Sequence, residues 1–332
     1  MRIAIVRLSA LGDIIQSMIV VQFIRSNYPQ STIDWVVDKK FSEIVRLNKL
    51  VDNIIEVRLN EIKKSKNILH LIKHLSGLRK IPKYDFVIDT QGLLKSAIIS
   101  KLIPSIKTIG FDRKSTREFL ASFLYSKSYS IPYELNVVER YCRLISKALD
   151  IHITKEDIFN KEDIFHIPKN ITHNSQIISI VVGASFDSKV YPVENYHSII
   201  EQINAKFICL WGNHDELKFA KKLSDFNSRV VVSKKTTFID LLKIIASSSL
   251  VIGGDTGPTH LAWALNIPSI TLFGPTLGNR NMFQTDINLK LESDSFVDIR
   301  KIKKNDYSIS NINPQKVIAL SHKLLEKTKI KS

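Results

Sequence analysis

Short apolar runs alternate with amphipathic helical runs along this chain, and the alternation restarts midway. In the first half, strands are predicted over 2–8, 31–37, 53–57, 84–89 and 107–109, with helices over 13–27, 40–47, 63–79, 92–102 and 134–149. A polar stretch over 150–175, rich in Lys, Asp, Asn and His, reads as a linker. Beyond it, strands over 176–182, 206–210, 229–232, 250–252 and 269–273 alternate with helices over 193–203, 215–225, 238–246 and 256–265. A last amphipathic helix falls over 314–327. Strands that are apolar throughout and separated by helices imply parallel βαβ units with both sheet faces covered. The expected fold class is α/β, with two Rossmann-like domains over 1–165 and 166–312. The segment over 313–332 is expected to form a helix that packs back on the first domain. Ligands in such sheets bind beyond the carboxyl ends of the strands, so chemistry is to be sought in the loops there.

The length of 332 residues exceeds one ordinary domain and suits two. Cys142 falls in a helical pattern and Cys209 in an apolar strand, so both read as small buried residues. Neither a disulfide framework nor a zinc site is expected. The first residues enter a strand at once and no apolar run approaches about 18 residues, so neither an export signal nor a membrane span is expected. These features predict a cytoplasmic protein.

The charge balance is 48 − 32 = +16, which suits nucleic acid, an anionic membrane surface or a polyanionic substrate. The basic residues are scattered and no nucleic-acid module accompanies them, so nucleic acid is not the expected partner. A phosphorylated, carboxylated glycolipid at a membrane satisfies the other two readings together.

Two loops stand out. Ser9-Ala10-Leu11-Gly12-Asp13 joins the first strand to the first helix. Asp13 is either a helix cap worth about 1 kcal/mol or a general base at a strand's carboxyl end, able to take a proton from a sugar hydroxyl. A lone Gly-Asp loop is no dinucleotide fingerprint, so no nicotinamide cofactor is expected. The second loop, Gly253-Gly254-Asp255-Thr256-Gly257-Pro258-Thr259-His260, runs from an apolar strand into a helix start. Unpaired helix N–H groups beside glycines make an anion site. Asp255 either accepts from a ribose or holds the loop; Thr256 is a phosphate donor or a cap. His260, one turn on, is a site group or a buried partner of the loop. No Gly-Lys-Ser/Thr follows, so this is not a P-loop. The phosphates to expect are those of a nucleotide diphosphate leaving group.

Four more features support these. Lys189 follows the first strand of the second half and is placed to neutralise a pyrophosphate. Glu216 follows Trp211-Gly212 and is either a ribose ligand or a helix-terminal carboxylate. Basic residues Lys63 and Lys64 lie in a helical segment, while Lys95 and Arg117 lie near strand-end loops. An acidic acceptor docked on them would bring a hydroxyl toward Asp13.

In combination these motifs resemble the lipopolysaccharide heptosyltransferases, the family-9 glycosyltransferases with the GT-B fold, across nearly the whole chain. Besides the two loops, the resemblance rests on Asp34-Trp35-Val36-Val37, on the run from Asp89 to Ser96, and on Thr116-Arg117-Glu118. In the second half it rests on Lys189-Val190-Tyr191-Pro192, Trp211-Gly212 and Phe273-Gly274-Pro275-Thr276. The Asp-Trp-Val-Val and Gln-Gly-Leu-x-Lys-Ser segments are most similar to heptosyltransferase I. The resemblance implies two domains facing each other across a cleft, an ADP-heptose donor in the second, and a Kdo-lipid A acceptor in the first. It further implies inverting, metal-independent transfer at the inner leaflet of the inner membrane. Asp13 would be the base; Ser185, Lys189, Glu216, Asp255, Thr256, Gly257 and His260 would serve the donor. Lys63, Lys64, Lys95 and Arg117 would serve the acceptor. Ala184-Ser185 stands where heptosyltransferase I usually has adjacent threonines, leaving one hydroxyl. The alternatives are heptosyltransferase II or another family-9 enzyme with a different acceptor, and, from another class, a sugar-nucleotide epimerase.

Overall fold

A computed structural model describes residues 1–59, 76–167 and 176–330, divided into two compact units, Met1–His166 and Ile167–Ser332. The first unit holds strands β1 (Arg2–Val6), β2 (Thr32–Asp38), β3 (Asn53–Val57), β4 (Tyr84–Asp89), β5 (Ser105–Phe111) and β6 (Lys127–Tyr129). Its helices are α1 (Leu11–Ser17), α2 (Ile19–Asn27), α3 (Ser42–Arg46), α4 (Leu94–Leu102), α5 (Val137–Leu149) and α6 (Lys155–Phe159). The described strands form one parallel sheet in the order β3-β2-β1-β4-β5-β6. Ile3, Ile5, Ile33, Trp35, Val87 and Ile88 are fully buried, as strands covered on both faces require.

The second unit repeats the plan. Its strands are β7 (Ile177–Val181), β8 (Lys206–Leu210), β9 (Val230–Val232), β10 (Leu250–Gly254), β11 (Ser269–Phe273) and β12 (Asn288–Glu292). Its helices are α7 (Val193–Gln202), α8 (His214–Phe226), α9 (Phe238–Ala246), α10 (Gly257–Ala264), α11 (Gly278–Asn281) and α12 (Pro314–Ile330). The parallel order is β12-β11-β10-β7-β8-β9. In each sheet the winding reverses beside the first strand, between β1 and β4 and between β7 and β10. Such switch points leave an open crevice at the strands' carboxyl ends.

Within the second unit, Val317, Ile318, Leu324 and Leu325 of α12 join the core formed by Ile178, Ile252, Ile270 and Leu272. Several expectations need correction. The helix predicted over 13–27 is broken at Met18, whose N–H reaches both Ile14 and Ile15. The polar linker contains α6, closed at its start by reciprocal hydrogen bonds between Thr154 and Asp157. Strands β6 and β12, at the sheet edges, were not predicted. Most of the helix predicted over 63–79, with Lys63 and Lys64, lies outside the described residues. Among the described residues no helix is long and apolar enough to cross a membrane.

Candidate functional site

In the first unit the loops leaving β1 and β4 meet at the switch point. Gln91 accepts from the Leu8 N–H at 2.8 Å, and the Lys95 ammonium donates to the Ser9 hydroxyl at 3.2 Å. The β4 loop is itself built by Asp89, whose buried carboxylate accepts from the N–H groups of Gln91 and Gly92 and from the Tyr125 hydroxyl. Burial pushes the Asp89 carboxyl up despite these donors. This residue is therefore a scaffold for the loop.

Asp13 stands in the first turn of α1 with its side chain 43% exposed. The buried Arg7 guanidinium holds one carboxylate oxygen at 2.8 Å. Arg7 is fixed in turn by the Thr90 carbonyl at 2.8 Å, and it lies over the Tyr141 ring. The Tyr141 hydroxyl is 3.5 Å from the same Asp13 oxygen, and the other oxygen is 3.3 Å from the Ala10 N–H. One exposed carboxylate is thus oriented by a cation behind it, with its outer side facing water. Sequence reasoning missed both Arg7 and Tyr141. The available signal was a charged residue closing an apolar strand, but its partners, Thr90 at 83 residues onward and Tyr141 farther still, come from distant segments that meet there.

Arg117 is exposed, and Glu118 beside it accepts from the Leu94 N–H at 2.7 Å, tying the segment to the start of α4. Lys95, exposed on the first turn of α4, reaches the Asp13 loop through Ser9, and Arg117 adjoins the residue that ties its segment to the start of α4.

In the second unit the β7 and β10 loops meet at Asp255. Its carboxylate binds the Lys189 ammonium at 2.7 Å, His260 Nε2 at 3.0 Å and the Thr276 hydroxyl at 2.9 Å. The ammonium also donates to the Asp255 carbonyl at 3.3 Å. Burial alone would raise the Asp255 carboxyl, but Lys189 and His260 outweigh it and hold it well below the usual carboxylate range. Between the two sequence readings, the geometry favours Asp255 holding the loop and His260 as its buried partner. Gly254 is required here, since a Cβ would stand 2.7 Å from the Lys189 carbonyl oxygen.

Thr256 precedes α10 without capping it through its side chain, and Gly257 and Pro258 open the helix. The first-turn N–H groups of α10 therefore lack a cap from the Thr256 side chain. Ser185 is exposed in the β7 loop. Glu216 is a helix-terminal carboxylate: it accepts from the Gly212 N–H at 2.6 Å and from the Asn213 side chain at 2.6 Å. Asn213 in return accepts from the Glu216 N–H, closing a capping box. The Glu216 carboxylate lies directly over Gly183, where any Cβ would overlap it. Sequence reasoning quoted Thr276 only as part of a motif; its hydroxyl completes the Asp255 cluster from the β11 loop.

Residues 71–283 match the family described as Glycosyltransferase family 9 (heptosyltransferase). The chain is 36% identical to lipopolysaccharide heptosyltransferase 1 of Campylobacter coli over 344 residues, covering 98% of this chain and 99% of the relative. It is 29% identical to lipopolysaccharide heptosyltransferase 1 of Escherichia coli K12, covering 83% of this chain and 88% of that one. Among solved structures it resembles E. coli heptosyltransferase WaaC with ADP, at TM-score 0.83 and 24% identity, covering 98% of this chain and 100% of that one. E. coli ADP-heptose lps heptosyltransferase II is similar at TM-score 0.69 and 18% identity, over 99% and 100% of the two chains. Both structures have the GT-B fold, which the two six-stranded parallel sheets described here share.

Proposed function

The chain belongs to glycosyltransferase family 9, the heptosyltransferases, and from that premise we propose that it transfers L-glycero-D-manno-heptose from ADP-heptose to a Kdo sugar of Kdo-lipid A. In this reading the transfer inverts the anomeric centre, uses no metal, and takes place at the inner leaflet of the inner membrane. The donor's pyrophosphate is held at the N-terminus of α10 beside Thr256 and Gly257, with Ser185 at the rim. Lys189 spends two ammonium hydrogens on Asp255 and keeps a third for a phosphate oxygen as ADP departs. His260 and Asp255 position that ammonium. Glu216, fixed as a cap, contributes by shaping the wall over Gly183. Lys95 and Arg117 attract the acceptor's carboxylates and phosphates, in keeping with a chain of net charge +16.

Asp13 accepts the proton of the attacking hydroxyl as the new bond to the anomeric carbon forms and the bond to ADP breaks on the opposite face. The observation that carries this reading is the exposed Asp13 carboxylate, oriented from behind by Arg7 at 2.8 Å. A base fixed in one rotamer meets its substrate without further ordering. The test is the product formed from ADP-heptose and Kdo-lipid A in EDTA. An anomeric configuration opposite to the donor's, by NMR, supports the reading. Retention, loss of turnover in EDTA, or transfer only to an already heptosylated acceptor overturns it.

A further inference from the structure

The first unit carries an apolar surface that neither loop site uses. The 3-10 segment Phe119–Leu124 packs on α4, and Ala97, Ala121 and Tyr125 fill the space between them. Their outer sides remain open: Phe123 is 68% exposed, Leu120 51% and Phe119 50%, with Ile98 and Leu94 beside them on α4. A soluble surface scatters its exposed apolar side chains singly; five on two touching elements form a patch.

The patch is set in positive charge. Residues 92–127 contain seven Lys and Arg against two acids, Asp112 and Glu118. Both acids are engaged by backbone donors: Asp112 accepts from the N–H groups of Lys114 and Ser115, and the exposed Glu118 from that of Leu94. The Arg113 guanidinium lies 5.5 Å from the Phe119 ring centroid, so cation and ring present one amphipathic edge. A protein partner with an apolar face offers no negative charge to this basic rim, whereas an anionic bilayer supplies both a hydrocarbon boundary and negative headgroups.

We propose that this face, Phe119–Leu120–Phe123 with Leu94 and Ile98, docks the protein on an anionic lipid bilayer. The rings and aliphatic side chains enter the headgroup–acyl boundary while Arg113 and Lys114 meet headgroup phosphates. Because Lys95 on α4 reaches the Ser9 hydroxyl, the docked face holds the Asp13 loop beside the membrane surface. The inference deepens the reading of a lipid-borne acceptor, but it fails or stands separately from it.

The test is sedimentation of the full chain with vesicles that contain no acceptor. Wild type binds phosphatidylglycerol–phosphatidylcholine vesicles more tightly than phosphatidylcholine alone, and added salt weakens that binding. Phe119→Ser/Phe123→Ser lowers partitioning about tenfold or more. Arg113→Gln/Lys114→Gln lowers it roughly 25-fold, about fivefold per cation. Both variants keep the wild-type circular dichroism and the wild-type rate on a short-chain, water-soluble acceptor. Equal binding to both vesicle types overturns the proposal, as does wild-type binding by either folded variant. Self-association of wild type that Phe119→Ser/Phe123→Ser abolishes, with vesicle binding unchanged, overturns it in favour of a second copy. Vesicle binding that behaves as described with no transfer to any Kdo acceptor leaves the surface standing and removes the acceptor reading.

Discussion

Asp255→Asn removes the charge from the centre of the second unit's loop cluster while keeping its shape. The Lys189 ammonium, itself only 8% exposed, would then face a neutral amide, and the contact to His260 would lose its charge. Breaking one partner of a buried pair costs about 3–5 kcal/mol, most of it from the charge left behind. For a unit of this size that corresponds to a fall of about 10 °C in melting temperature by calorimetry. Lys189→Met/Asp255→Asn should recover about 2 kcal/mol, since no buried charge is then stranded. The pH dependence has a definite sign. The folded carboxyl sits below its ordinary value, so its stabilisation is present above about pH 4, the unfolded value, and is lost as pH falls toward the folded one. The gap between wild type and Asp255→Asn should therefore be constant around neutrality and narrow in acid. A single-variant loss under about 1 kcal/mol, or a double variant no better than the single, would refute the argument that the cluster holds together by charge.

Arg7→Met should lower kcat by roughly 100-fold with the donor KM nearly unchanged, because it releases the Asp13 carboxylate from its fixed rotamer; an unaltered kcat removes Arg7 from the account. Gly183→Ala places a methyl group where the Glu216 carboxylate lies, so it should displace that carboxylate while the Asn213 cap stays, and cost about 0.5 kcal/mol in urea unfolding. Lys161 is buried and its ammonium is pushed down to about 7 by desolvation, with Asp163 opposing. A lowered lysine costs stability while it is charged, so Lys161→Met should stabilise most at and below pH 7, with the gain vanishing toward about pH 10. A gain that is the same at pH 6 and pH 10 contradicts this.

The inner strands were legible because buried parallel strands are mostly apolar: 84–89, 206–210 and 269–273 coincide with β4, β8 and β11. The edge strand β12, Asn288-Leu-Lys-Leu-Glu, has no such run and alternates like a half-exposed loop. The Asp13 and Asp255 loops were legible as glycine-bearing strand ends. Their wiring was not. Arg7 looks like any charged strand terminus until Thr90 and Tyr141 arrive from distant segments. Glu216 and Asp255 each had two readings in sequence, and only the structure shows their hydrogen bonds to Asn213 and Lys189. The amphipathic stripe of α12 announced burial, and four of its residues join the second unit's core.

The most direct measurement is ADP release from ADP-heptose by the purified chain, with and without Kdo-lipid A, for wild type and Asp13→Asn. The account predicts release by wild type only when acceptor is present, and release at least about 1,000-fold slower in Asp13→Asn, within the range a positioned base contributes. Near-wild-type release by Asp13→Asn, or release indifferent to the acceptor, would contradict it.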